Sequence, residues 1–248
     1  MPLRMTEGLP LVYPARRREP ATETPSARDS ADARAAQQPR ASRRFAGARA
    51  SRVCVLTGAA GAHGRKLGVP RRRQRQPDWC WAACVDMVLH YYGRREVEQC
   101  EIVGRKIKRA DSCDDPLNKE FGVPCAPKWM RGVWASWGLE ARSHFPRKGR
   151  PGWISEVALK RELEAGRPVE VGLCWDNGGG HAVVVRGWCE GRGGRTFYFV
   201  NDPWNWADDE RGKFFAEGGV GQVSYAELRA AYGMGRWKWT WTGISPKG

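Results

Sequence analysis

The large apolar residues of this chain are spread so unevenly that only part of it can fold around a core. All thirteen Trp lie from Trp79 onward, and residues 1–76 hold one Phe, Phe45, and one Tyr, Tyr13. Burying large side chains is what offsets the conformational entropy lost when a chain is ordered. A stretch with almost none of them is expected to stay disordered. The 172 residues from Pro77 onward are enough for a single core. The expected organisation is a disordered Arg-rich tail over 1–73 and one folded domain over 74–248.

Charge follows the same division. Residues 1–76 carry 17 Lys+Arg against 5 Asp+Glu, and the remainder carries 25 against 22, within a total of +15. The Arg clusters Arg16–Arg18 and Arg71–Arg73 sit in low-complexity sequence without interleaved aromatics. That pattern reads as a solvated tail rather than a nucleic-acid surface. No run of 18 apolar residues marks a membrane span. The N-terminus lacks the apolar stretch of a secretory signal, and an Arg-rich, acid-poor start suits an organelle transit peptide or an export address equally well. "VCVLTGAAGAHG", residues 53–64, resembles a phosphate loop, but its glycines are spaced G-x-x-G-x-x-G and no helical pattern follows, which excludes a dinucleotide fingerprint.

The folded part begins near Gln74 with "QRQPDWCWAAC". Asp78 is the expected N-cap of a helix over Trp79–Tyr92, stopped by Gly93. A shorter helix is expected around Val97–Ile107, a Pro-containing loop over 110–128 and a further helix over Lys128–Trp137. "ISEVALKRELEAGRP" predicts an amphipathic helix with Val157, Leu159 and Leu163 apolar, Ser155 near its cap and Gly166 at its stop. "PVEVGLCW", "HAVVVRGW", "RTFYFVND" and "RWKWTWTGI" read as strands, with a short helix in "SYAELRAAYG". Helices first and antiparallel strands after predict an α+β fold of two lobes around a cleft.

Three positions carry the chemistry. Cys80 falls in the first turn of the first helix, where unpaired backbone N–H groups and the helix dipole favour a thiolate. His90 is ten residues along the same helix, about 15 Å away, and cannot reach it. His144 sits in a polar stretch with no strand to fix it, and His63 belongs to the tail. His181 opens a strand after "NGGG", with a rigid backbone behind it and open space before it, as a catalytic imidazole requires. Asp202 or Asn201, in "FVNDPW", ends the next strand and can orient the ring. The eight cysteines include no C-x-x-C pair, so no metal site is expected. Cys100, Cys113 and Cys125 cluster in a loop-like stretch where a disulfide is expected.

"WCWAA", "GGGHAVVVRGW" and "VNDPW", with Gln74 six positions before Cys80, resemble the papain-like cysteine peptidases. They are most similar to a bacterial branch that includes type III effector proteases of plant pathogens. The likeness spans Gln74 to about Trp206 and extends to Ile244. It implies a papain-like two-lobe fold and endopeptidase activity without a cofactor. It also implies a protein or peptide substrate, and a monomer exported from a bacterium without a recognisable signal peptide. Cys80 becomes the nucleophile, His181 its proton partner, Asp202 the ring-orienting group and Gln74 an oxyanion donor, with Gln76 a competitor for that last role. Trp204, two residues after Asp202, matches the family's Trp that covers the imidazole contact, and this favours Asp202 over Asn201. Asp stands where papain has Asn, and only 101 residues separate Cys80 from His181. Acyl transfer to an amine by the same residues, and a basic-tail binding module for nucleic acid or membrane on an inert scaffold, are the alternatives.

Overall fold

The computed structural model describes residues 63–109, 113, 132–204 and 220–248. Helix α1 spans Cys80–Tyr91 and α2 spans Gln99–Ile107; α3 is a single turn, Val133–Ser136. Strand β2 (Leu139–His144) precedes α4 (Glu156–Glu164). Then come β3 (Val169–Trp175), β4 (Gly180–Glu190), β5 (Thr196–Asn201) and β6 (Val220–Val223). The short α5 (Tyr225–Arg229) leads into β7 (Gly235–Pro246). Helices come first and an antiparallel sheet follows, an α+β arrangement. The strand order is β2-β7-β3-β4-β5-β6.

The sequence patterns account for most of these elements. Along α4, Leu159 and Leu163 are fully buried one turn apart, Ser155 accepts the Ala158 N–H as cap, and Gly166 ends the helix at φ +75°. Val157 departs from the expectation: it is 68% exposed, because it falls off the stripe that Leu159 and Leu163 define. Helix α1 is apolar on nearly every side, and ten of its twelve residues are buried. It lies between the sheet and α2 as the central element of the core. Of the expected helix over Lys128–Trp137, the described part is α3. Residues 110–112 and 114–128 of the expected loop lie outside the described residues.

The boundary at residue 74 needs correction. Residues 63–73 are built into the fold, whereas 1–62 lie outside the described residues. Gly64–Lys66 form β1, paired antiparallel to Gly187–Cys189 of β4. Because β5 takes the other edge of β4 at that level, β1 continues the edge that β3 occupies further along. Gly187 permits the close approach, since a Cβ there would lie 2.3 Å from the Arg65 carbonyl oxygen. Leu67 and Val69 are then buried, 4% and 2% exposed. Sparse apolar residues disguised this segment. Only two large side chains are buried, and side-chain hydrogen bonds hold the rest. Arg186 donates to Asn201 Oδ1 (2.8 Å) and to the Leu67 carbonyl (3.2 Å), and Asn201 donates to the Val69 carbonyl (3.0 Å). Arg71 reaches the carbonyls of Asp202 (3.0 Å) and Trp204 (2.8 Å). Gln99 of α2 donates to the Arg73 carbonyl and accepts from the Arg75 N–H.

Candidate active site

Cys80 is the first residue of α1. Trp79, not Asp78, occupies the cap position, and no side chain caps this end. The first turn also carries no acidic residue. The free N–H groups and the positive end of the dipole therefore remain for the Cys80 thiol, which is 4% exposed.

His181 stands second in β4, opposite Leu173 of β3. The hairpin that delivers it turns through Gly178 and Gly179, both with φ in the left-handed region (+97° and +78°), which explains the glycine run before it. The His181 Nε2 lies 2.7 Å from Asp202 Oδ1. With Nε2 engaged by Asp202, Nδ1 is left for Cys80, whose thiol also acts on the ring. Asp202 follows the last residue of β5 and is wholly buried. Its Oδ1 also accepts the Trp204 N–H at 2.8 Å. Cys80, His181 and Asp202 are thus brought together. Asn201 is not in this group, because its side chain joins Arg186 to the Val69 carbonyl.

Burial alone would lower the His181 pKa. The charge of Asp202, the hydrogen bond to Asp202, and then the bond and charge of Cys80 outweigh burial and push it up to about 10. Cys84, one turn further along α1, has the opposite setting. It is fully buried, and its thiol is pushed well above its usual range by burial first, then by Glu170, Cys80 and Asp202. Cys80 and Cys84 are the free thiols among the described residues. Cys100 bonds Cys113, and Cys174 and Cys189 are also disulfide-bonded.

Gln74 is buried close by, but its amide is engaged. Nε2 donates to the carbonyls of Gln76 (2.9 Å) and Pro77, in the turn that leads to Cys80, and Oε1 is buried without a partner. Gln76 is half-buried and is used through its backbone carbonyl, which also accepts the Trp79 N–H. His144 is not in a loop: it ends β2, with Nε2 2.8 Å from Thr242 Oγ1 on β7. His90 faces Asp86 on its own helix. One aromatic beside the imidazole went unassigned by sequence reasoning. The Trp175 ring stacks on His181 with centroids 5.8 Å apart and planes 22° from parallel. Among the described residues, no cluster of three or more His, Cys, Asp or Glu could hold a metal ion, and no helix is long and apolar enough to cross a membrane.

A thiol at a bare helix N-terminus, beside an imidazole that a buried carboxylate holds, is an arrangement suited to nucleophilic thiol chemistry. Residues 63–215 match the family described as papain-like cysteine protease AvrRpt2, and the chain belongs to that family. It is a papain-like cysteine peptidase. The matched span begins at the residue where the described fold begins. No curated protein sequence matches the chain. Solved structures similar to it include the peptidase domain of Streptococcus ComA, a bi-functional ABC transporter (15% identity, 72% of this chain, 99% of that chain, TM-score 0.46). Another is the ragweed pollen cysteine protease Amb a 11 in its proform (14% identity, 75% of this chain, 66% of that chain, TM-score 0.44).

Proposed function

We propose that this peptidase cleaves internal peptide bonds of protein substrates, with Cys80 as nucleophile, His181 as proton partner and Asp202 as the group that fixes the imidazole. The 2.7 Å contact between His181 Nε2 and Asp202 Oδ1 carries this reading, because it leaves the other ring nitrogen to the thiol. The Cys80 sulfur attacks the scissile carbonyl carbon as a thiolate. Negative charge moves to the carbonyl oxygen, where the Cys80 backbone N–H, unpaired at the start of the helix, is a fixed donor. The C–N bond then breaks, and the leaving amine takes the proton from His181 Nδ1. A thioester remains. Neutral His181 accepts a proton from water as the water attacks the thioester, and the carboxylic acid and the thiol are released.

Gln74 supplies the second oxyanion donor in this reading. To do so it must turn one amide hydrogen away from the Gln76 or Pro77 carbonyl. One such donor is worth about 3 kcal/mol in the transition state when preorganised. The rotation lowers that figure here, so Gln74→Ala is expected to cost less than a fixed donor would. The disulfides at Cys100–Cys113, Cys174 and Cys189 suit maturation in an oxidising compartment and support export.

Treatment with an irreversible epoxide-type thiol-protease inhibitor at pH 6, followed by mapping of the modified cysteine, tests the assignment. Cys80 alone is expected to be labelled, His181→Ala abolishes the labelling, and Cys80→Ala abolishes peptide cleavage. Continued cleavage by Cys80→Ala refutes the mechanism.

A further inference from the structure

Trp175 ends β3 and is separated from β4 by residues 176–179. Leu173 pairs with His181 across this hairpin, so Trp175 is the diagonal neighbour of His181 on the same face of the sheet. That is within the reach of an indole, and the two rings lie nearly parallel at 5.8 Å. The backbone of Trp175 is tied on both sides. Its N–H donates to the Gly179 carbonyl (3.3 Å), its carbonyl accepts from Gly178 (3.2 Å), and Asp176 donates to the Met234 carbonyl (3.0 Å). The ring is half-buried and packs against the core. Trp175 is therefore anchored at its backbone and packed on one side against the core.

The imidazole has three surroundings: Cys80 at one nitrogen, Asp202 at the other, and indole across one face. The titratable groups facing it are Cys80 from α1 and Asp202 from the end of β5. Behind Asp202 lie Arg71 from the N-terminal segment and Tyr232 from the turn before β7. Hydrogen bonds at two ring nitrogens leave one rotation open, the tilt of the ring about the line between them. A parallel indole blocks that tilt. An aromatic face also attracts a cation, and does so more strongly where water is excluded, as it is around a residue 8% exposed.

We propose that Trp175 is a positioning residue for His181: it holds the imidazole plane between Cys80 and Asp202 and favours its protonated form. Trp204, which the sequence pattern expects to cover the imidazole contact, donates its backbone N–H to Asp202. The proposal rests on the peptidase assignment for its kinetic consequences but not for its physical core.

The test uses the full chain with Trp175→Phe and Trp175→Leu. Three readings are taken: the pH dependence of Cys80 inactivation by an epoxide-type inhibitor, kcat and KM for a peptide, and the NMR titration of the His181 ring. Loss of the cation's aromatic partner lowers the imidazolium pKa, so the alkaline limb moves to lower pH. In Trp175→Leu that limb and the NMR midpoint are expected about half a pH unit or more lower, and kcat about tenfold lower, with KM within about twofold. Trp175→Phe, which keeps a ring, is expected to restore most of both. If the leucine variant does not fold, Trp175→Met fills the space without a ring and takes its place. A folded ringless variant with the wild-type limb, NMR midpoint and kcat overturns the proposal. Wild-type protein whose Cys80 resists the inhibitor, but whose His181 midpoint still falls on loss of the ring, overturns the peptidase mechanism and leaves the stacking inference standing.

Discussion

Two cysteines four residues apart on one helix show how position sets chemistry. Cys80 meets the bare N-terminal end of α1 and an imidazole, whereas Cys84 is sealed in the core with Glu170 and Asp202 raising its pKa further. Alkylation of native protein is therefore expected to leave Cys84 untouched, and Cys80→Ala to leave no fast-reacting thiol among the described residues; peptide mapping after timed iodoacetamide exposure reads this. His181 gives a prediction with a definite sign. Its folded pKa of about 10 lies above the unfolded value of about 6.5, so the bound proton stabilises the fold fully below pH 6.5. That contribution is lost as pH rises towards 10. Asp202→Asn removes the largest cause of the raised value, so stability by urea unfolding is expected to fall less steeply over that interval than in the wild type. The alkaline limb of inactivation should shift to lower pH. Cys80, His181 and Asp202 were marked as candidates in the sequence because each sits beside local punctuation: a helix start, a glycine turn, a strand end before Pro203. Trp175 was not, because its role depends on hairpin register. Only the pairing of Leu173 with His181 puts the two rings side by side.

The same difference between local and long-range signals separates the elements that sequence reading found from those it missed. Helix α4 and strands β3, β4, β5 and β7 announce themselves by period and turn residues. Strand β1 has three residues, all exposed, and β6 has four, so neither carries a periodic pattern. Strand β2 looked like a polar loop because four of its six residues are charged or polar and only Leu139 is fully buried. Of these, the segment from His63 to Gln74 comes nearest the candidate site through its bonds to Asp202, Pro203 and Trp204. It runs from the edge of β4 past the turn that carries Asp202, and Gln74 adds a bond from its N–H to the Pro203 carbonyl (2.9 Å). Asp202 is thus held from outside as well as by β5. Leu67→Ala is expected to cost about 2–5 kcal/mol, as a buried leucine does. Arg71→Ala should cost about 1.5–3 kcal/mol through loss of charge-assisted bonds to two carbonyls. Denaturant titration measures both losses. The arginine variant should lose more activity than its stability alone explains, because the two carbonyls belong to Asp202 and Trp204.

At the scale of the whole molecule, the charge of residues 63–76 needs a different reading from the one composition suggests. Residues 63–76 contain six basic residues and no acidic one, and most of these have partners inside the fold. Arg71 binds carbonyls, Arg72 lies 3.3 Å from Asp86, Arg75 pairs with Glu98, and the Lys66 ammonium sits 5.1 Å over the Phe199 ring. A run of arginines in low-complexity sequence looks like a solvated tail when its acceptors are distant in sequence, as Asp202 is from Arg71. This shifts the expected effect of N-terminal deletion. A chain beginning at His63 keeps β1, Leu67, Val69 and Arg71, and is expected to melt within a few degrees of the full chain and to cleave peptides at a similar rate. A chain beginning at Gln74 loses all four. With Leu67 and Val69 each worth about 1.5–3 kcal/mol of burial, and with the hydrogen bonds of Arg71 and those of Arg186 and Asn201 to the Leu67 and Val69 carbonyls gone as well, the loss approaches the whole stability of an ordinary domain. Thermal unfolding of the two truncated chains, with Cys80 labelling on each, decides the matter. Equal melting temperatures and equal labelling would mean that the 63–73 segment only rests on the fold and does not hold it.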